Sequence, residues 1–186
     1  DGIYYNITSS SKLTDSVTYR DSSNNSAVYS GSVVIPEQVT YDSKEYSVTS
    51  IGNWAFSGCK GMTSVTIPNS VTSIGNNAFQ GCSGLTAVHI TDLSAWCKIK
   101  FNNYDSNPTS YAHHLYLNGE EIFNLVIPDD VTSIGEYAFY GCSGLTSVTI
   151  PNSVTSIESY AFRDCSGLTS VTIGNSVTSI GNEAFY

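Results

Sequence analysis

One stretch of 17 residues occurs three times in the chain with few changes. Residues 58–74 read GCKGMTSVTIPNSVTSI, residues 141–157 read GCSGLTSVTIPNSVTSI, and residues 164–180 read DCSGLTSVTIGNSVTSI. A catalytic loop gains nothing from being copied, whereas a structural unit that packs against its own copies must keep its shape. Repetition at a fixed period is the signature of architectures in which each unit contacts its neighbours. The copies therefore predict a solenoid.

The period of the repeat is 23 residues, because Ile127, Ile150 and Ile173 follow one another at that spacing. Within one copy, L-x-x-V-x-I predicts a short strand with inward apolar side chains, and the Pro-Asn pair that follows predicts a turn. A second extended segment comes next, and Tyr160-Ala161-Phe162 predicts a helical turn that places Ala and Phe in the core. A period in the twenties that begins with this strand pattern lies in the range of leucine-rich repeats.

We therefore predict an α/β leucine-rich-repeat solenoid that is rich in β-strand, has short helical turns and carries a β-rich N-terminal cap. In the cap, residues 1–32, the alternating segments YYNIT, SVTYR and SAVYSGS predict strands, and the solenoid follows over residues 33–186. The last repeat is incomplete, since the chain reaches Tyr186 two residues before the next cysteine of the pattern. An uncovered solenoid end exposes a strand edge, which leaves three alternatives open: the native chain continues, two molecules associate end to end, or the chain stops there.

Two insertions interrupt the period. The first, at about residues 39–49, alternates around Asp42-Ser43-Lys44 and predicts a β-hairpin. The second makes a longer, irregular repeat at about residues 91–126, in which Asp92 is expected to cap a short helix. Asn118-Gly119 in the same repeat predicts a type I′ hairpin between Leu115-Tyr116-Leu117 and Ile122-Phe123.

Four of the five cysteines occupy one position of the repeat, and Cys97 lies outside it. The four are Cys59, Cys82, Cys142 and Cys165. A spacing of 23 residues fits a buried column of free thiols better than it fits disulfides or metal ligands.

Composition and charge narrow the classes of partner. The chain has 16 acidic and 7 basic residues, for a net charge of −9, which argues against nucleic acid or an anionic membrane as the ligand. No apolar run approaches the roughly 20 residues that span a bilayer, so membrane insertion is not expected. The chain opens with DGIYYNIT and no signal peptide is visible, and we expect that one has been removed.

The motif I-P-x-x-V-T-S-I-G-x-x-A-F-x-G-C-S-G-L-T-S-V resembles the BspA-like, treponemal-type leucine-rich repeat over about residues 33–186. The segment DLSAWCKIKF…AHHLYLNGEEI resembles the longer irregular repeat of such proteins from gut Bacteroidetes such as Bacteroides. This resemblance implies a protein that is secreted or exposed on the bacterial cell surface, with a role in adhesion to host matrix proteins or cells. It implies no catalytic residues, because the family shares none.

The residue patterns of the chain predict no catalytic, cofactor-binding or metal-binding residues. The neighbouring acids Asp129-Asp130 and Glu120-Glu121 fit solvated turns, and His113-His114 would need partners from elsewhere in the chain to bind a metal. No phosphate-binding loop, dinucleotide fingerprint or hydrolase motif occurs.

The outward face of the repeated strands is the better candidate binding surface, since equivalent residues stack about 4.8 Å apart there. Small hydroxyl residues dominate it, and it becomes irregular next to the aromatic residues of the long repeat. Those aromatic residues suit a binding surface, and they equally suit a repeat that packs its own insertion. One row of outward residues is predicted to run Thr66, His89, Val126, Thr149 and Thr172, so that Val126 stacks beside His89. The candidate residues are Thr66, His89, Asn124, Val126, Thr149 and Thr172 on the strands, with Tyr111, His113 and Tyr116 in the irregular repeat.

Three functions are compatible with these patterns. The first is a non-catalytic, adhesin-like binding module for a protein or glycan, such as a protein of the host extracellular matrix. The second is a structural spacer that presents another domain and has no ligand of its own. The third is a carbohydrate-active enzyme, which would require two converging carboxyl groups in the irregular repeat.

Overall fold

The repeats stack into a solenoid with two strand ladders. The computed structural model describes residues 3–18 and 29–186. Each regular repeat contributes a front strand from its L-x-x-V-x-I pattern and a two-residue back strand from its V-T-S-I pattern. The strands are β1 (Tyr4–Ser9), β2 (Thr14–Thr18), β3 (Gly31–Val34), β4 (Gln38–Tyr41), β5 (Lys44–Ile51), β6 (Met62–Thr66), β7 (Ser73–Ile74), β8 (Ala87–Ile90), β9 (Lys100–Phe101), β10 (Leu115–Leu117), β11 (Glu120–Glu121), β12 (Asn124–Val126), β13 (Ser133–Ile134), β14 (Ser147–Ile150), β15 (Ser156–Ile157), β16 (Ser170–Ile173) and β17 (Ser179–Ile180).

Both ladders are divided at the irregular repeat. The front ladder consists of one sheet in the order β11-β10-β8-β6-β3 and a second in the order β12-β14-β16. The back ladder divides in the same way, into β1-β2-β5-β7-β9, with β4 beside β5, and β13-β15-β17. Pairing between regular repeats is parallel and in register, so that Val148 lies opposite Val171 one period later. The molecule therefore has an N-terminal and a C-terminal half that meet at the irregular repeat.

The inward side chains form one continuous core along both halves. Phenylalanines of neighbouring repeats stack with ring centroids 5.1 Å apart, first Phe56 on Phe79 and later Phe139 on Phe162. The predicted column of buried free thiols is confirmed, since all five cysteines are free and buried. The Sγ of Cys82 and that of Cys165 each donate to the carbonyl of the phenylalanine one repeat earlier, at 3.1 Å.

The A-F segment of the repeat is a hydrogen-bonded turn, and the predicted helical turn at Tyr160-Ala161-Phe162 is wrong. Ala161 and Phe162 are buried as expected, but Tyr160 has a φ of 62°, outside the right-handed helical region. The reason lies in stacking, because its amide donates at 2.9 Å to the carbonyl of Asn182 in the next repeat. A helical turn would point that donor along its own axis.

The predicted hairpins and helix cap are present. Asp42 and Ser43 both have positive φ and join β4 to β5, and Asn118 and Gly119 do the same between β10 and β11. The second strand of the latter hairpin is Glu120–Glu121, where Ile122-Phe123 was predicted. The irregular repeat holds the three short helices of the described residues: α1 (Leu93–Cys97), capped by Asp92, the 3-10 helix η1 (Tyr104–Ser106), and α2 (Thr109–Ala112).

At the N-terminus, β1 and β2 form a hairpin that extends the back ladder through β5. Tyr29 packs edge-on against Phe56 at a centroid distance of 5.0 Å. The strand predicted from SAVYSGS begins at Gly31 and pairs in parallel with β6, so β3 is part of the front ladder. The end of the segment SVTYR and the beginning of SAVYSGS lie outside the described residues.

The irregular repeat binds the C-terminal half through side-chain donors. Between regular repeats, main-chain amides make this connection, as when the Phe139 amide donates to the Ala161 carbonyl at 2.8 Å. In the irregular repeat the indole of Trp96 donates to the Ala138 carbonyl at 2.9 Å. The amide group of Asn107 donates to the carbonyls of Tyr137 (2.7 Å) and Ala138 (3.1 Å). The irregular repeat thus adds buried side-chain donors to two main-chain bonds, from the Gly135 amide to the Cys97 carbonyl at 3.2 Å and from the Gly144 amide to the His113 carbonyl at 3.3 Å.

Candidate functional site

A cleft opens on the front surface where the first front sheet ends and the second begins. Its volume is about 390 Å³. On one side it is bounded by the end of β10 and by β11, and on the other by the linker Ile122-Phe123 and by β12. We call it the front cleft. Its lining residues are Leu93, Leu117, Glu120, Glu121, Ile122, Phe123, Asn124, Leu125 and Val126.

The rim of the front cleft carries two exposed apolar side chains beside the exposed polar residues Glu120 and Asn124. Val126 is 63% exposed and Phe123 is 48% exposed, on a surface otherwise formed mainly by Ser and Thr. The main chain beneath them is fixed, since the Phe123 carbonyl accepts from the Thr146 amide at 2.7 Å and the Asn124 Oδ1 accepts from the Ser147 hydroxyl at the same distance. Exposed apolar side chains on a rigid main chain can bind a partner without a large ordering cost.

The rows of outward residues differ from the prediction on one side of the cleft. Val126 was expected to stack beside His89, but the residue opposite His89 is Tyr116 of β10. Their rings lie 4.9 Å apart, and Thr66 is the neighbour of His89 on the other side. The physical reason is that the insertion contributes a front strand of its own, β10, which occupies the place next to β8.

On the other side of the cleft the predicted row is present. Val126 lies opposite Thr149, and Thr149 lies opposite Thr172. The structure therefore places Thr66, His89 and Tyr116 on one sheet and Asn124, Val126, Thr149 and Thr172 on the other, with the front cleft between them. Tyr111 and His113 lie elsewhere, at α2, and line a separate groove.

Polar residues that sequence reasoning missed accompany Tyr116 on the first sheet. Glu121 lies opposite Tyr116, its Oε1 is 2.5 Å from Nδ1 of His114, and the Tyr116 hydroxyl donates to its Oε2 at 3.4 Å. Desolvation, followed by the carboxylate of Glu121, raises the pKa of Tyr116. The alternation of inward and outward side chains along β10 could have indicated that His114 and Tyr116 share the outer face, since the buried Leu115 between them points inward.

The acidic residues of the irregular repeat lie in three places. Asp92 caps α1, Asp105 lines the groove at α2, and Glu120 and Glu121 both line the front cleft, where Glu121 is bound to His114. Within residues 3–18 and 29–186, no group of three or more His, Cys, Asp or Glu side chains could hold a metal ion. None of the helices in that part of the chain is long and apolar enough to cross a membrane.

The front strands, the back strands and the 23-residue period define a leucine-rich-repeat solenoid, as predicted. The chain belongs to the family of the BspA type leucine rich repeat region, whose model matches six copies over residues 36–110 and 109–186. Proteins with leucine-rich repeats are generally protein-interaction modules without catalysis. No curated protein sequence matches the chain.

Two solved structures are similar over nearly the whole chain. A leucine rich cell surface protein from Faecalibacterium prausnitzii is 27% identical with a TM-score of 0.59, and the match covers 99% of this chain and 50% of that one. The leucine rich repeat protein of T. pallidum is 22% identical with a TM-score of 0.60, covering 97% of this chain and 83% of that one. The chain thus spans half the length of the Faecalibacterium protein, and its likeness to the T. pallidum protein concerns the fold alone.

Proposed function

We propose that the chain is a non-catalytic, adhesin-like binding module outside the bacterial cell, and that its ligand is a protein such as one of the host extracellular matrix. The observation that carries this proposal is the front cleft, where two exposed apolar side chains interrupt a surface of small hydroxyl side chains. Interfaces are centred on buried aromatic and apolar anchors within a polar rim, and Phe123 and Val126 offer such anchors. The cell-surface description of the Faecalibacterium protein supports an extracellular location.

The alternative is a spacer that presents another domain and has no ligand of its own. It is favoured by the uniform rows around Thr149 and Thr172, since small hydroxyl residues are also what an unused face would carry. A spacer and a binding module differ in one respect that can be measured. Only the module loses a partner when the front cleft is altered and the fold is kept.

The test is a binding screen of the purified chain against immobilised collagen, laminin and fibronectin and against a glycan array. Two variants are measured with it, Val126→Lys at the front cleft and Val34→Lys as a matched control. Val34 is an outward valine at the far edge of the first front sheet, and it is 60% exposed against 63% for Val126. Thermal unfolding of both variants checks that the fold is kept.

Saturable binding to a matrix protein that Val126→Lys abolishes and Val34→Lys retains would support the proposal. Saturable binding that both variants retain would keep the module but move its site away from the front cleft. Binding to glycans alone would change the class of ligand. A folded chain that binds nothing on either panel would favour the spacer.

A further inference from the structure

A second cavity, which shares no lining residue with the front cleft, lies beside α2. Its volume is about 400 Å³, within the range of ligand-binding pockets. The irregular repeat forms one wall, and the following two repeats contribute Tyr140 and Asp164 to the other. We call it the tyrosine groove. The residues that carry its chemistry are Tyr104, Asp105, Tyr111, His113, Tyr140 and Asp164.

Three tyrosine rings line the groove. Tyr104 is half exposed, and its ring lies 5.9 Å from that of Tyr140. Desolvation, followed by hydrogen bonds to neighbouring carboxylates, raises the pKa of Tyr111 and of Tyr140 to about 12. The phenols are therefore neutral at physiological pH, and their electron-rich ring faces are attractive to cations.

One wall of the groove contains a buried carboxylate without a cation. Asp105 is only 5% exposed, and its Oδ1 accepts from the Tyr111 hydroxyl at 2.5 Å. In the part of the chain that the structure describes, no other hydrogen bond reaches this carboxylate and no lysine or arginine lines the groove. Buried carboxylates are normally paired, because an unpaired buried charge is costly. A cation supplied by a partner would pair with the Asp105 carboxylate.

The nearby positive charge is already engaged. The Nε of Arg163 is 3.8 Å from Oδ2 of Asp164, and the guanidinium also binds Glu183. Its plane lies over the rings of Tyr160 and Tyr186, at 5.6 and 5.2 Å from their centroids. Arg163 is thus fixed among its own partners outside the groove.

We propose that the tyrosine groove binds a lysine or arginine side chain of a protein partner. Charge complementarity carries the choice of cation, since the Asp105 carboxylate has no lysine or arginine partner in the groove and the net charge of the chain is −9. The surroundings favour a protein as its source. Beyond the groove, the Tyr140 ring lies 5.9 Å from that of Tyr137, which stacks on Tyr160 at 5.1 Å, and tyrosine and arginine are typical of protein interfaces.

The experiment is a titration of the isotope-labelled chain, followed by amide chemical shifts, with three capped amino acids. Nα-acetyl-lysine methylamide and Nα-acetyl-arginine methylamide carry the cation, and Nα-acetyl-norleucine methylamide has a similar shape without charge. Spermidine and choline test the alternative of a small free cation. The variants are Asp105→Asn, which keeps the size of the side chain, and Tyr104→Leu, in case Asp105→Asn fails to fold. Asp15→Asn is the matched control, because Asp15 is a buried carboxylate in β2, 3% exposed.

We expect saturable shifts at the amides of Asp105, Ser110 and Gly141 with the lysine or arginine compound and none with norleucine. Asp105→Asn should weaken this binding roughly 10- to 100-fold and Tyr104→Leu about 3- to 10-fold, while Asp15→Asn leaves it unchanged. Equal binding of the norleucine compound, no binding by any capped amino acid, or full binding by Asp105→Asn or, where that variant does not fold, by Tyr104→Leu would overturn the proposal. Binding of spermidine or choline ten times tighter than either capped amino acid would overturn the assignment to a protein side chain.

Discussion

The regular repeats and the irregular repeat differ in how much they rely on buried side-chain hydrogen bonds to hold their neighbours. Between regular repeats most donors are main-chain amides, such as that of Phe56, which donates to the Ala78 carbonyl at 2.8 Å. These bonds are available to any sequence that adopts the fold. Where the irregular repeat meets the C-terminal half, the Gly135 and Gly144 amides donate to it, and the side chains of Trp96, Asn107 and Thr109 add further donors. Stacking there depends on a few particular side chains, and substitutions should have very different effects in the two regions.

The largest effect is expected at Asn107. This residue is fully buried, donates to two carbonyls of the next repeat, and accepts from the amide of Thr109, whose hydroxyl donates to the Tyr140 carbonyl. Asn107→Ala leaves the buried Thr109 amide without its acceptor and removes one donor from each of the Tyr137 and Ala138 carbonyls, which keep the Tyr140 amide and the Trp96 indole. It should lower the free energy of unfolding by about 2–4 kcal/mol. Urea denaturation of the variant and the parent chain measures this difference in the free energy of unfolding.

The matched control is Asn152→Ala in a regular repeat. The Oδ1 of Asn152 accepts from the Asn175 amide at 2.8 Å, but the side chain is exposed, so water can replace it. Its loss should cost less than about 1 kcal/mol. If the two alanine variants had equal stability, side-chain donors would not hold the irregular repeat in place.

A smaller effect is expected at Trp96, where Trp96→Phe removes the indole donor and leaves a small cavity. The Ala138 carbonyl keeps a second donor, Nδ2 of Asn107 at 3.1 Å, so the cost should be about 1–3 kcal/mol. Thermal unfolding compares this variant with Trp54→Phe in a regular repeat, where the indole is partly exposed and a change within about 0.5 kcal/mol is expected. A larger loss at Trp54 would reverse the comparison.

The buried thiols give a third test, through pH. Desolvation raises the pKa of Cys82 and Cys142, in regular repeats, and of Cys97, in the irregular one, to about 12 from an ordinary value of 9.0. Below pH 9 both the folded and the unfolded chain keep these protons, so the thiols do not lower the free energy of unfolding there. Between pH 9 and 12 only the unfolded chain loses them, and each thiol should lower the free energy of unfolding by about 1.4 kcal/mol per pH unit.

Alkylation by iodoacetamide at pH 9, followed by peptide mass spectrometry, compares the two regions directly. If both unfold together, Cys97 should react at the same rate as Cys82 and Cys142, because each becomes accessible only on opening. Faster reaction of Cys97 alone would show that the irregular repeat opens by itself. In that case the irregular repeat would not unfold cooperatively with the core of the regular repeats.

The sequence could predict the regular repeats because their period, strand pattern and turn residues agree with one another. The two hairpins were predictable for the same reason, since Asn118-Gly119 and Asp42-Ser43 adopt the positive φ values that such turns need. The partner of His89 was not predictable, because the length of an insertion does not reveal whether it adds a strand to the ladder. The 14 extra residues between Ile90 and Ile127 add β10, and Tyr116 therefore takes the place expected for Val126.

Both candidate sites depend on contacts that a sequence pattern does not contain. The front cleft exists because β11 and β12 do not pair, and the tyrosine groove joins Tyr104 and Asp105 to Tyr140 and Asp164 from later repeats. Aromatic residues marked the irregular repeat as unusual, but their neighbours follow from how the helices α1, η1 and α2 are packed. The sequence therefore predicted the region in which both sites lie, and it predicted two of the residues that line the groove, Tyr111 and His113.

The most direct test of the account exchanges the irregular repeat for a regular one. Residues 91–127 are replaced by a copy of residues 128–150, which restores the 23-residue period and should join the two front sheets into one ladder. Saturable binding to the collagen, laminin and fibronectin panel is then measured beside the parent chain. If the irregular repeat creates the binding site, the exchanged chain folds and loses the binding that the parent shows. A folded exchange chain that binds as tightly as its parent would contradict the claim that the irregular repeat creates the binding site.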